Sequence, residues 1–168
     1  SPSPLVSKKA GRFVFDYWGG SYANVLKRLQ KFVLYGLTDS LLIQHSWQHY
    51  GYDVRLPDIW PPRSEQGTLE ELKATQDYCD TYDIPFGLHD NYIDFYPDAD
   101  GFTYDDIIFN PDGQPQKAWY NPGPDAQSYR FNPSRIFPYA ERNLALISKE
   151  LMQTAYFTDV FSSIHIMD

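Results

Sequence analysis

Short apolar runs, each closed by polar or acidic residues and parted from the next by helix-like stretches, constrain this chain more than any other feature. Phe13-Val14-Phe15 runs into Asp16-Tyr17-Trp18, and Leu41-Leu42-Ile43 into Gln44-His45-Ser46-Trp47. Ile84-Pro85-Phe86-Gly87-Leu88 leads into His89-Asp90-Asn91 and on to Asp94, and Ala155-Tyr156-Phe157 into Thr158-Asp159. An unbroken apolar run is what a parallel strand covered on both faces looks like. In a barrel of such strands the catalytic side chains gather at the carboxyl ends. The expectation is an α/β chain of parallel (β/α) units whose strand ends form the walls of one polar cleft.

Between the runs, Val25, Leu26, Leu29, Phe32 and Val33 recur at helical spacing behind Ser21, a candidate N-cap, and Gly36 stands where that helix should stop. Thr68-Leu69-Glu70-Glu71 is a capping-box signature, followed by an inner face of Leu69, Leu72, Gln76 and Cys79. A third helix is expected over 134–151, with Pro138 tolerated in its first turn. Strands are expected at 12–17, 40–45, 84–89 and 155–161, with long loops at 46–67 and 95–133. Within the second loop, 107–109 and 118–120 could pair as a hairpin around Asn110-Pro111-Asp112-Gly113. Residues 1–11 read as a linker, and 12–168 as a (β/α) half-barrel of about four strands. A complete eight-stranded barrel takes about 250 residues. The expected architecture is therefore the N-terminal half of a TIM-type barrel, with long βα loops, as a piece of a larger catalytic domain. A doubly wound sheet is the structural rival, but no glycine-rich phosphate turn follows any strand.

The formal net charge of -8 argues against a nucleic-acid backbone as partner. No apolar stretch approaches the roughly 20 residues of a membrane span. The single cysteine, Cys79, excludes an intrachain disulfide and falls at an apolar helix position, where a buried thiol is expected. No cofactor motif is visible. His45, His49, His89 and Asp90 offer metal-ligand chemistry without any fixed ligand spacing, so no metal site is assigned.

Asp159, one residue past the last apolar run, is the sharpest candidate for chemistry. A carboxylate held rigidly there suits attack on a sugar's anomeric carbon; the alternative is an aspartate that caps the next turn. Asp16, His45, His89, Asp90, Asn91 and Asp94 are candidates for hydrogen bonds to substrate hydroxyls, with loop anchoring as the alternative. Trp18 and Trp47 could stack on a pyranose face or pack against helices. Further aromatics, including Tyr52, Trp60, Tyr96, Phe102, Trp119 and Tyr129, fall in the long loops and suit either a sugar cleft or a small core that pins those loops down.

Phe15-Asp16-Tyr17-Trp18, the stretch from Gly87 to Tyr96, and Tyr156-Phe157-Thr158-Asp159-Val160 together resemble the catalytic barrels of retaining glycoside hydrolases, most closely the relatives of endo-α-N-acetylgalactosaminidases in families 101 and 129. The resemblance implies hydrolysis of α-linked sugars, with N-acetylgalactosaminides the candidate substrates and Asp159 the nucleophile. It also implies a glutamate on a later strand as acid/base. No glutamate of this chain occupies such a position, which implies an isolated piece that is inactive. Open sheet edges could lead to self-association. A noncatalytic carbohydrate-binding module and a metal-dependent hydrolase or deacetylase built on His45, His89 and Asp90 remain as alternatives.

Overall fold

The computed structural model describes residues 5–163. Four strands, β1 (Phe13–Tyr17), β2 (Ser40–Gln44), β3 (Phe86–Asp90) and β7 (Ala155–Thr158), form a parallel sheet in the order β1-β2-β3-β7. Helix α2 (Tyr22–Leu34) joins β1 to β2, α3 (Leu69–Thr81) joins β2 to β3, and α4 (Phe137–Ile147) precedes β7. The alternation expected from the apolar runs is present. Between β3 and β7 an excursion adds β4 (Asp94–Phe95), β5 (Lys117–Asn121) and β6 (Ala126–Arg130), an antiparallel sheet in the order β4-β6-β5. Residues 5–11, expected as linker, include one exposed helical turn, α1 (Val6–Lys9).

Local chemistry explains the element ends. Ser21 Oγ accepts from Asn24 N, and Gly36, at φ 81°, turns the chain out of α2 in a backbone region that favours glycine. Thr68 and Glu71 close a reciprocal capping box at the start of α3. α4 is shorter than expected: Pro133–Arg135 forms a separate 3-10 turn, and the α-helix begins only at Phe137, with Pro138 in its first turn. The hairpin pairing is corrected too. Residues 107–109 pair with 114–116, through Asn110 N to Gln114 O and Gln116 N to Ile108 O. Residues 118–120 instead belong to β5, which pairs with β6. The turn at Asn110–Gly113 was legible, but so tight a turn fixes the nearest residues as partners.

Side chains alternate across the parallel sheet. Leu42, Phe86 and Leu88 point to the helices and join Tyr22, Val25, Leu29, Leu72, Cys79 and Ile147 in one buried core. Burial pushes the Cys79 thiol up to about 12, so it is an inert packing group. On the other face, Asp16, Ile43, Gly87 and Ala155 lie side by side in register. A Cβ on Gly87 would come 2.9 Å from Ile43 Cδ1 and 3.1 Å from the Ala155 backbone, so a larger residue would push Ile43 and β7 aside. A second core of Tyr92, Phe95, Ala99, Ile107, Phe131 and Ile136 pins the excursion down, with Phe95 and Phe131 stacked at 4.1 Å.

Candidate functional site

The register that aligns Asp16, Ile43, Gly87 and Ala155 places His89 beside Phe157 two residues further along, on the same face, and His45 follows β2 directly. Side chains two residues apart share a face of a strand. The carboxyl ends of the four parallel strands thus carry a continuous row. Asp16 Oδ1 contacts His45 Nε2, the His45 and His89 rings lie 4.6 Å apart, and His89 Nε2 lies 3.4 Å from Asp159 Oδ2. Trp18 stacks on His45 at 4.2 Å, and its indole N–H donates to Asp16 Oδ2 at 2.9 Å.

Asp159 follows the last residue of β7. Its carboxylate accepts from the Tyr52 hydroxyl (3.2 Å) and from Val160 N (2.9 Å), and it faces His89. The His89 hydrogen bond is the chief reason its carboxyl sits below the usual carboxylate range, against the opposing effect of burial. Tyr52, raised by burial and then by Asp53 and Asp159, stays a phenol and serves as donor. Val160 adopts φ 68°, uncommon for a β-branched residue, so the turn that presents Asp159 is held by its surroundings. Burial and, secondarily, His89 lower the His45 pKa, and Asp16 only partly offsets this. His45 is therefore neutral near pH 7, and its close contact with Asp16 is not a full ion pair.

A cavity of about 570 Å³ opens beside Asp159, lined by Tyr52, Asp53, Asp94, Trp119, Arg130 and Lys117 among others. Asp53 is buried, and burial, reinforced by Asp94, pushes its carboxyl up to about 6. A carboxyl raised in the fold favours folding while protonated. The stability it contributes is full below its unfolded value near 3.8 and is lost as pH rises through about 6. Asn91 Nδ2, the hydrogen-bond donor to Asp53 at 3.4 Å, can equally donate to an asparagine there. Asp53→Asn is expected to raise unfolding stability at pH 7.5 by about 3 kcal/mol or less and to flatten the loss between pH 5 and 7.5. Urea titrations of both proteins at the two pH values check this.

The remaining candidates divide by geometry. Asp94 lines the cavity, and Asn91 lies fully buried behind it. Asn91 Oδ1 accepts from Ile93 N and its amide donates to Asp94 Oδ2 at 2.7 Å, while Asp94 Oδ1 accepts from Trp119 N and the Ser128 hydroxyl. They fasten the excursion to the strand end. Asp90 is a correction. It is one residue out of phase with His89, so the pleat turns it to the helix side. There it is fully buried and accepts from the Tyr92 and Tyr156 hydroxyls at 2.6 and 2.5 Å. Trp47 is also a correction. Ser46, at φ 54°, reverses the chain direction, and Trp47 is buried in the main core with its indole N–H on His89 O at 2.7 Å. Asp53 and Gln48 were not singled out as site residues, because each sits in a loop without periodicity, and Tyr52 stood only among the loop aromatics suited to a cleft or a small core. Among the described residues no three His, Cys, Asp or Glu side chains come together as a metal-ion site, and no helix is long and apolar enough to cross a membrane.

No protein-family model matches the chain, and no curated protein sequence matches it. Solved structures do. Ligand-free alpha-N-acetylgalactosaminidase NagBb from Bifidobacterium bifidum superposes with a TM-score of 0.83 at 22% identity, over 95% of this chain and 30% of that one. Its GalNAc complex gives 0.80 at 22% identity, over 90% and 28%. An alpha-amylase from Lactobacillus plantarum gives 0.60 at 17% identity, over 92% and 39%. The chain thus spans under a third of the length of the NagBb structures. At these identities the likeness is one of fold. It bears out the parallel (β/α) half-barrel and the resemblance to glycoside hydrolases at that level.

Proposed function

We propose that this chain forms the nucleophile-bearing half of a retaining α-glycosidase site, with Asp159 as nucleophile and an α-N-acetylgalactosaminide as substrate. The observation that carries the reading is the setting of Asp159: an ionised carboxylate on a rigid strand end, hydrogen-bonded on one oxygen by Tyr52 and His89 and facing a cavity of about 570 Å³. The cavity accommodates one sugar ring with part of its leaving group. Trp119, half exposed at its wall, offers an aromatic surface for the apolar C–H face of a pyranose, and Asp53 accepts from ring hydroxyls once ionised. The N-acetylgalactosamine assignment is supported by the sequence resemblance and by a solved structural neighbour that holds that sugar.

In the first step Asp159 attacks the anomeric carbon as the glycosidic bond breaks. In the second, water opens the glycosyl ester and configuration is retained. Among the described residues no glutamate lines the cavity. The isolated chain is therefore expected to accept glycosyl groups from donors whose leaving group departs unaided and to leave unactivated glycosides intact. Isothermal calorimetry with N-acetylgalactosamine tests the ring site. Saturable binding that weakens at least about tenfold in Trp119→Ala is expected, because loss of a stacked ring removes on the order of 1.4 kcal/mol. Equal affinity in both proteins would remove Trp119 from the site.

A further inference from the structure

We propose that Gln48 is a positioning residue, which pins His89 in the Nε2–H tautomer so that the ring aims a proton at Asp159. The inference deepens the reading of Asp159 as nucleophile and rests on it.

His89 O is a backbone carbonyl and can only accept. One terminal atom of the Gln48 side chain lies 3.1 Å from that oxygen and 2.7 Å from His89 Nδ1. An atom in hydrogen-bond contact with a carbonyl must be a donor, so it is the amide nitrogen. Nδ1 must then offer a lone pair. In a neutral imidazole the proton then sits on Nε2, the nitrogen 3.4 Å from Asp159 Oδ2. Trp47 N–H donates to the same carbonyl at 2.7 Å, so the acceptor is fixed from two sides. Gln48 and His89 are both fully buried, which leaves water no access to scramble the arrangement. The titratable groups facing the ring are Asp159, Tyr52 and His45, with Asp53 and Asp90 acting at longer range.

Without Gln48 the ring could present a bare Nε2 to Asp159, lone pair against carboxylate. With it, Asp159 keeps a directed donor and one oxygen is oriented while the other turns to Val160 N. Long-range nitrogen–proton correlation spectra of the nitrogen-15-labelled protein near neutral pH read the tautomer directly, with no need for substrate. The expected result is a protonated Nε2 and an unprotonated Nδ1 for His89. In Gln48→Glu, whose carboxylate accepts rather than donates, the proton should appear on Nδ1. A wild-type His89 carrying its proton on Nδ1 overturns the proposal, as does an unprotonated Nδ1 in a folded Gln48→Glu protein. The spectra stand apart from activity. The expected tautomer together with undiminished sugar transfer in Asp159→Asn would refute the nucleophile and leave the Gln48–His89 geometry standing.

Discussion

Asp159→Asn should lower the release of dinitrophenolate from a dinitrophenyl α-N-acetylgalactosaminide by at least about 10⁴-fold, the order of loss that accompanies removal of a covalent nucleophile. The substrate is chosen so that its leaving group departs without a proton, which isolates the first chemical step. The asparagine oxygen can still accept from Val160 N, and the amide group that replaces the other oxygen can donate to the Tyr52 hydroxyl, so the turn after β7 should keep its shape. Unchanged circular dichroism and an unchanged unfolding midpoint would attribute the loss to chemistry. If Asp159 merely caps the turn, release should be unaffected.

Trp47→Ala is the substitution with the largest expected structural effect. The ring is fully buried among the main core residues. Truncation of a buried tryptophan costs about 3–5 kcal/mol, from lost transfer energy and the cavity left behind. In a chain of this size that corresponds to a fall in Tm of roughly 6–20 °C. Trp47→Phe retains most of the apolar volume and loses the indole N–H on His89 O, at about 1 kcal/mol. Thermal melts of the two variants check both figures. Had Trp47 stacked on sugar, as its place after β2 suggested, Trp47→Ala would leave Tm unchanged and weaken sugar binding.

The row from Asp16 to Asp159 was legible because two rules act together. Parallel strands covered on both faces announce themselves as apolar runs, and their carboxyl ends all lie at one end of the sheet. Asp16, His45, His89 and Asp159 follow from those rules alone, one at the carboxyl end of each parallel strand. The placing of Asp90 failed on a rule that was available: it alternates with His89 and so faces away. Trp47 was beyond pattern reasoning, since nothing in Gln44-His45-Ser46-Trp47 marks Ser46 for a left-handed turn. Tyr52 and Asp53 reach the site through a loop whose path is set by distant contacts, such as Asn121 Nδ2 donating to the carbonyl oxygens of Tyr52 and Asp53. The aromatics of the long loops divide between two places. Phe95, Phe102, Tyr129 and Phe131 pack the excursion's own core, while Tyr52 and Trp119 line the cavity.

The central claim is that Asp159 forms a bond to sugar. Incubation of the 168-residue chain with a 5-fluoro α-N-acetylgalactosaminyl fluoride, followed by peptide mass spectrometry, tests it without need of any general acid. One fluorosugar per chain is expected, attached to Asp159 and absent from Asp159→Asn. A folded chain that binds the sugar and stays unlabelled, or carries the label on another carboxylate, would contradict it.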